Sequence, residues 1–278
     1  MVDLKRLRRG DLRIEDHGRA AYVWSAFAHY GLRALLGRRV RRDAAFVTDE
    51  YNNVRDEYWK PSTSLDDLIF GDDEHPTWIL VDDQLTRGTL RDARMKLLPR
   101  LKDRIAANSK PGDLVVEFGA GTARNLAFLA RELPDRRYIG LELTPRTVAS
   151  AQQLLRDHDL PVEMRVADMT KAVGLEGQAA VAYSVLALEQ LPHTSSRDAL
   201  QQMAATATRA VICFEPIREL FPYSVRGLAS RFRQYGADYL AGLPGHARSL
   251  GLKIAVEQRT GIAQNALNEI CELVIERS

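Results

Sequence analysis

Apolar and polar positions change period repeatedly along this chain, and the changes mark its elements. Leu114-Val115-Val116 is a short apolar run behind the breaker Pro111-Gly112, as a central parallel strand requires. It ends at Gly119-Ala120-Gly121, where the missing Cβ atoms allow a sharp turn and close approach of a ligand. From Thr122 onward Leu126, Leu129 and Ala130 recur at helical spacing until Leu133-Pro134 stops the run. A glycine turn between strand and helix is a common small-molecule site.

The same alternation predicts strands over 114–118, 137–143, 162–167, 179–184 and 210–214, with helices over 145–158 and 196–208. Helices over 225–235 and 238–250 follow, then strands over 254–258 and 268–276. The last two are joined too tightly for a helical crossover and should pair antiparallel. These βα units predict a doubly wound α/β fold with a seven-stranded, mostly parallel sheet and an antiparallel last strand.

Ahead of residue 111 the pattern differs. Residues 1–42 read as arginine-rich helices, and 20–36 is amphipathic. Tyr51 to Trp59 mixes aromatic and polar residues as a pocket wall or a packed helix would. Residues 62–76 read as a loop before the apolar run Trp78-Ile79-Leu80-Val81. A helix over 89–105 puts Leu90, Ala93, Leu97, Leu98 and Leu101 on one face, with Pro99 inside it. The expected organisation is a mainly helical extension or lid over 1–110 and a ligand-binding domain over 111–278. An insertion at 217–250 would wall the pocket.

Composition narrows the classes. At 45% hydrophobic and 27% charged, 278 residues can bury a substantial core. A net charge of +2 gives the whole chain no strong steering toward nucleic acid. Acidic residues follow the arginines of the first 42 positions, so those arginines read first as a solvated face. Cys213 and Cys271 sit in predicted strands and read as buried free thiols. No stretch has the length and apolarity of a membrane span or signal peptide, and a cytoplasmic location is expected.

A glycine turn alone also suits a dinucleotide-binding domain. Three features argue against that. Glu117 precedes the turn while the third glycine of the dinucleotide fingerprint is absent; Glu142 ends the second strand, where a carboxylate can accept from both ribose hydroxyls; and Asp168 ends the third, placed to accept from an adenine amine. The segments Val115 to Asn125, Ile139 to Pro145, Ala167-Asp168-Met169 and Leu188-Glu189-Gln190-Leu191-Pro192 together resemble class I S-adenosylmethionine-dependent methyltransferases. The last matches a Glu-His-Leu-Pro-like segment, with Gln190 in place of histidine.

The resemblance implies a Rossmann-like fold and S-adenosylmethionine as cofactor. By it, Glu117, Gly119, Ala120, Gly121 and Asn125 would meet the methionine end, Glu142 and Leu143 the ribose, and Asp168 and Met169 the adenine. Ser184 and Val185 would lie near the transferring methyl. No metal is expected. Methylation of a hydroxyl or protonated amine needs a base, and His193, Glu189 and Glu215 on carboxyl-end loops are the candidates. Tyr51, Tyr58, Tyr223, Gln264 and Asn265 are candidate acceptor contacts. The expected activity is methyl transfer to an oxygen or nitrogen of a small molecule, such as an aromatic or sugar hydroxyl of a natural-product intermediate. The competing reading is an RNA methyltransferase using the arginine-rich N-terminus.

Overall fold

The computed structural model describes residues 18–37, 64–71, 76–192, 195–237 and 239–277. Strands β3 (Leu114–Phe118), β4 (Arg137–Glu142), β5 (Val162–Val166), β6 (Ala179–Val185) and β7 (Ala207–Glu215) run parallel. They are joined by β9 (Ile270–Glu276), antiparallel to β7, and β8 (Lys253–Ile262), antiparallel to β9, in the order β5-β4-β3-β6-β7-β9-β8. The two antiparallel pairings give β8 the direction of the parallel strands, so the β8–β9 loop emerges at their carboxyl ends. Strand order reverses between β3 and β6, and ligands of open α/β sheets bind at such a point.

Helices cover both faces, which is why the central strands read as unbroken apolar runs. On one face α3 (Leu90–Asn108), α4 (Arg124–Glu132) and α5 (Pro145–Asp157) pack with Val115, Tyr183, Ile212 and Phe214. On the other, α6 (Ser196–Thr206) and α8 (Leu243–Ser249) pack with Val116, Phe118, Val211 and Cys213. Side chains alternate across a strand, so Glu117 shares the face of Val115 and points under α3 and α4. Both cysteines are buried and free.

The sequence boundary at 110 separates α3 from the strand it packs behind. Leu97, Leu98 and Leu101 of α3 belong to the same buried cluster as Val115 and Tyr183, so this helix is a layer of the sheet domain. A Thr89–Asp92 capping box starts it. A six-residue helix, α2 (Leu65–Phe70), packs beside it where the sequence suggests only loop; Ser64 caps it through the Asp67 N–H.

The run at Trp78 proves to be half of a hairpin, β1 (Thr77–Val81) with β2 (Gln84–Gly88). Its turn residues Asp82 and Asp83 both have positive φ, as a two-residue hairpin turn of the primed type demands. Aspartate tolerates that conformation less readily than Asn-Gly, which is why the turn carries a weak sequence signal.

Leu80 and Ala263 exchange backbone hydrogen bonds, fixing the hairpin to the end of β8. A third apolar cluster joins Tyr22, Ala26 and Tyr30 of α1 (Arg19–Leu35) to Trp78, Leu85, Ala266, Leu267 and Ala229. Ala229 lies on α7 (Val225–Ala237), where Phe232 meets Phe27 of α1 at a ring-centroid distance of 5.8 Å. Hairpin, α1 and α7 thus form one assembly against the β8–β9 loop. No helix among the described residues is long and apolar enough to cross a membrane.

Candidate cofactor and acceptor site

The glycine turn follows β3 at the reversal of strand order. Gly119 and Gly121 have φ values of +74° and +53°. A Cβ on Gly119 would lie 2.5 Å from the Ala187 Cβ and 2.7 Å from the Met169 Cε, so backbone and neighbours leave no room for any side chain there.

The amides of the turn are already committed. Gly119 and Ala120 both donate to the Leu141 carbonyl, Ala123 donates to the Ala120 carbonyl, and Gly121 donates to Glu142 Oε2 at 3.0 Å. These N–H groups are therefore not displayed for a phosphate. Two buried acidic side chains, Glu117 and Glu142, also sit beside the turn.

Glu142 is 4% exposed. Its Oε2 takes the Gly121 N–H, and Oε1 takes the Thr144 N–H at 3.2 Å with the Thr144 hydroxyl at 3.5 Å. The single proton of the Thr144 hydroxyl is better placed on Thr147, at 2.6 Å. A carboxylate has about four acceptor positions, so the two N–H contacts orient Glu142 and leave about two positions for hydroxyls. Those free acceptor positions fit the two hydroxyls of the ribose of S-adenosylmethionine. Asp168 is differently placed. Its Oδ1 accepts from the Thr170 hydroxyl at 2.6 Å and N–H at 3.0 Å, and Oδ2 pairs with Lys171. Partial burial raises its pKa, but the two Thr170 bonds and Lys171 outweigh this and hold it below the usual carboxylate range.

Under the turn lies a network whose outer members carry no motif. Glu117 Oε1 accepts from the Asn125 amide at 2.6 Å and Oε2 from the Tyr183 hydroxyl at 3.1 Å. Tyr183 is its register partner on β6. Asn125 Oδ1 in turn accepts from the Arg94 guanidinium at 3.1 Å, and Arg94 Nε donates to the Ile69 carbonyl at 2.7 Å. Burial pushes the Glu117 carboxyl up to about 8, against the pull of Asn125, Tyr183 and Arg94. Burial likewise brings Arg94 down to about 9, helped by the nearby Arg124 charge. Sequence reasoning missed Arg94 and Tyr183. The available signal was an arginine between Ala93 and Leu97 on the apolar stripe of a helix, a position that a solvated charge avoids.

A second network closes the acceptor side. Glu215, at the end of β7, is fully buried, and its oxygens accept from the N–H groups of Ala187, Leu188 and Glu189 at 3.0, 3.1 and 3.2 Å. Burial, then the neighbouring Glu189 charge, raises it to about 8. Three backbone donors occupy the carboxylate, so Glu215 anchors the loop after β6 and is not placed as the proton acceptor the sequence suggests. Glu189 is 8% exposed and accepts at Oε2 from the Asn268 amide at 2.8 Å, tying the loop after β6 to the β8–β9 loop.

Arg226 of α7 extends the same frame, donating to the Ala266 carbonyl and to the buried Glu269 at 2.9 Å. Several polar atoms here are buried with no hydrogen-bond partner among the described residues: Gln234 Oε1, Gln264 Nε2, Asn268 Oδ1 and Trp78 Nε1.

The remaining sequence candidates fall as follows. Ala120, Ser184 and Val185 are buried beside the turn and at the end of β6, Met169 packs toward Gly119, and Leu143 is at the surface. Gln264 is half-buried on the β8–β9 loop; Asn265 is exposed and shapes that loop by accepting from the Leu267 N–H. Tyr223 is 90% exposed with Arg231 over its ring, a surface residue and not a pocket wall. His193, Tyr51 and Tyr58 lie outside the described residues.

A family model described as a methyltransferase domain matches residues 115–209, from β3 into β7. No curated protein matches the chain. Among solved structures, magnesium protoporphyrin IX methyltransferase from Synechocystis PCC 6803 with bound S-adenosylhomocysteine is similar at a TM-score of 0.59 and 15% identity. The match covers 85% of this chain and all of that one (100%). A putative sarcosine dimethylglycine methyltransferase from Galdieria sulphuraria gives 0.56 and 14%, over 77% and 98% of the two chains. Geranyl diphosphate C-methyltransferase from Streptomyces coelicolor A3(2) gives 0.53 and 11%, over 82% and 98%. Residues 115–209 thus match a methyltransferase domain, and the sheet order around the glycine turn is the Rossmann-like fold shared with these structures.

Proposed function

We propose that this chain is a class I S-adenosylmethionine-dependent methyltransferase and that it methylates an oxygen or nitrogen of a small, polar acceptor held between the carboxyl ends of β6 and β7 and the assembly of α1, α7 and the β8–β9 loop. The observation that carries the reading is the set of buried polar atoms on that assembly with no hydrogen-bond partner among the described residues, Gln234 Oε1, Gln264 Nε2 and Asn268 Oδ1. Leaving such groups unpaired costs about 1–3 kcal/mol each, a cost that an acceptor with both donors and acceptors of hydrogen bonds would remove. An isoprenoid chain would leave it in place. The three structural neighbours are named for a porphyrin, a small amine and a prenyl diphosphate, so the shared fold does not choose among acceptors.

For the cofactor, the reading assigns Gly119, Ala120 and Gly121 to lie along the methionine end, Glu117 and Asn125 to its ammonium side, and Glu142 with Leu143 to the ribose. Asp168 and Met169 take the adenine side, and Ser184 with Val185 the end of β6 beside the methyl. The bound cofactor supplies an activated methyl at a sulfonium, so the protein's task is alignment and proton removal. Glu189 is the described carboxylate best placed for that removal, because Asn268 aims it from the acceptor-side loop. His193, four residues further on, is the other sequence candidate.

The test is methyl transfer across a panel of polyol, phenol and amine acceptors with Glu189→Gln and His193→Gln variants. A base lost from its place lowers kcat about 10²–10⁴-fold and leaves S-adenosylhomocysteine binding unchanged. Transfer only to carbon, or full activity in both variants, would contradict the reading.

A further inference from the structure

We infer that Arg94 is a positioning residue for the cofactor and that it couples occupancy of the glycine turn to docking of α2. Beneath the proposed methionine end the chain of contacts is continuous: the Ile69 carbonyl holds Arg94 Nε, Arg94 holds Asn125 Oδ1, Asn125 holds Glu117 Oε1, and Tyr183 holds the other Glu117 oxygen. Arg94 and Glu117 are 6% and 0% exposed, so water does not replace any lost member of the chain. The inference rests on the assignment of this turn to the cofactor.

The geometry explains why arginine is needed. Only a guanidinium presents donors in two directions from one rigid plane, here to a carbonyl on α2 and an amide oxygen on α4. Asn125 oriented by that contact must turn its Nδ2 toward Glu117, because its oxygen is already spoken for. Arg94 therefore fixes the carboxylate through an intermediary and also supplies opposite charge. Glu142 and Arg124 are the other charged groups that act on this cluster.

The consequence is thermodynamic. Whatever the cofactor's ammonium gains from an ordered, ionised Glu117 depends on α2 holding Arg94. By reciprocity, a bound cofactor must hold α2 in place by the same free energy. Further ties bind α2 to the site's flank: Arg91 donates to the Gly71 carbonyl at 3.5 Å, and Arg131 on α4 pairs with Asp66 at 2.7 Å. The helix is thus a segment on which the preceding chain can act to change cofactor affinity without touching the cofactor.

The experiment uses the full chain and S-adenosylhomocysteine as probe, with calorimetric affinity and amide hydrogen exchange of residues 65–70. In the unaltered protein, ligand should slow exchange over 65–70; unchanged exchange would overturn the coupling. Arg94→Met should weaken binding about tenfold or more at pH 7 and abolish that protection. Arg94→Lys, which keeps the charge but not the two-way contact, should recover only part.

The deficit of Arg94→Met relative to the parent should shrink between pH 7 and pH 9, because loss of the neighbouring cation leaves Glu117 harder to ionise. Equal affinity in all three proteins, or a deficit independent of pH, would overturn the positioning role. Glu142→Ala is the control: if it too binds normally, the site assignment fails and not the coupling.

Discussion

At the scale of single residues, the site is dominated by carboxylates taken out of water. Glu117 and Glu215 are both fully buried and both pushed up to about 8. In the unfolded chain each would ionise near the ordinary glutamate value of about 4.3. Between these limits the unfolded state binds fewer protons than the folded one, so stability falls as pH rises from about 5 to about 8. The expected result is a melting temperature for the ligand-free enzyme that declines across that window. Glu215→Gln should flatten the decline. It should also cost about 1 kcal/mol near pH 6, because an amide cannot accept from all three loop N–H groups that the carboxyl now satisfies. A pH-independent melting temperature would contradict both carboxyl assignments.

Glu142 differs, since its contacts with the Gly121 and Thr144 amides orient it while the Glu117 oxygens are taken up by side chains. One carboxylate is aimed outward and the other is held in place from behind.

At the scale of elements, α3 and α7 frame the two sides of the site. The apolar stripe of α3 fills the sheet face behind β3 and β6, and its one buried arginine reaches the turn. Leu98→Ala should cost about 2–5 kcal/mol through lost burial and a cavity, measured by denaturant unfolding. The α7 helix instead joins the acceptor side. Phe232 packs on Phe27 and lies 3.6 Å from where a Cβ on Gly31 would stand, so this face holds α1 against the site. Phe232→Ala should make residues 19–35 more sensitive to limited proteolysis while S-adenosylhomocysteine affinity changes less than twofold. Affinity that collapsed with α1 would mean that the cap reaches the cofactor and not only the acceptor.

At the scale of the molecule, what could be read from the sequence was what repeats along the chain. The βα alternation from Leu114 to Phe214, the short link before β9 and the strand end at Glu142 are local signals, and the sheet keeps them. Asp168 stands in the loop just past the end of β5. Contacts between distant segments left little local trace. Asp82-Asp83 builds a hairpin turn through positive φ that its composition hides, and α2 is too short for helical periodicity to show. Arg94 and Asn125 are 31 positions apart, and Glu189 and Asn268 are 79 apart. Glu215 looked like a free acid because the three amides that occupy it belong to a loop on the neighbouring strand. A glycine turn likewise advertises N–H groups until the carbonyl of Leu141 is seen to consume them.

The central claim is that S-adenosylmethionine binds across this turn with Glu142 on its ribose. Calorimetric titration of S-adenosylhomocysteine into the parent enzyme and Glu142→Ala tests it most directly. Removing a buried carboxylate that accepts from two hydroxyls should weaken binding by about 2–3 kcal/mol, roughly 30- to 150-fold, with the fold intact by circular dichroism. Equal affinity in the two proteins would place the ribose elsewhere and contradict the account.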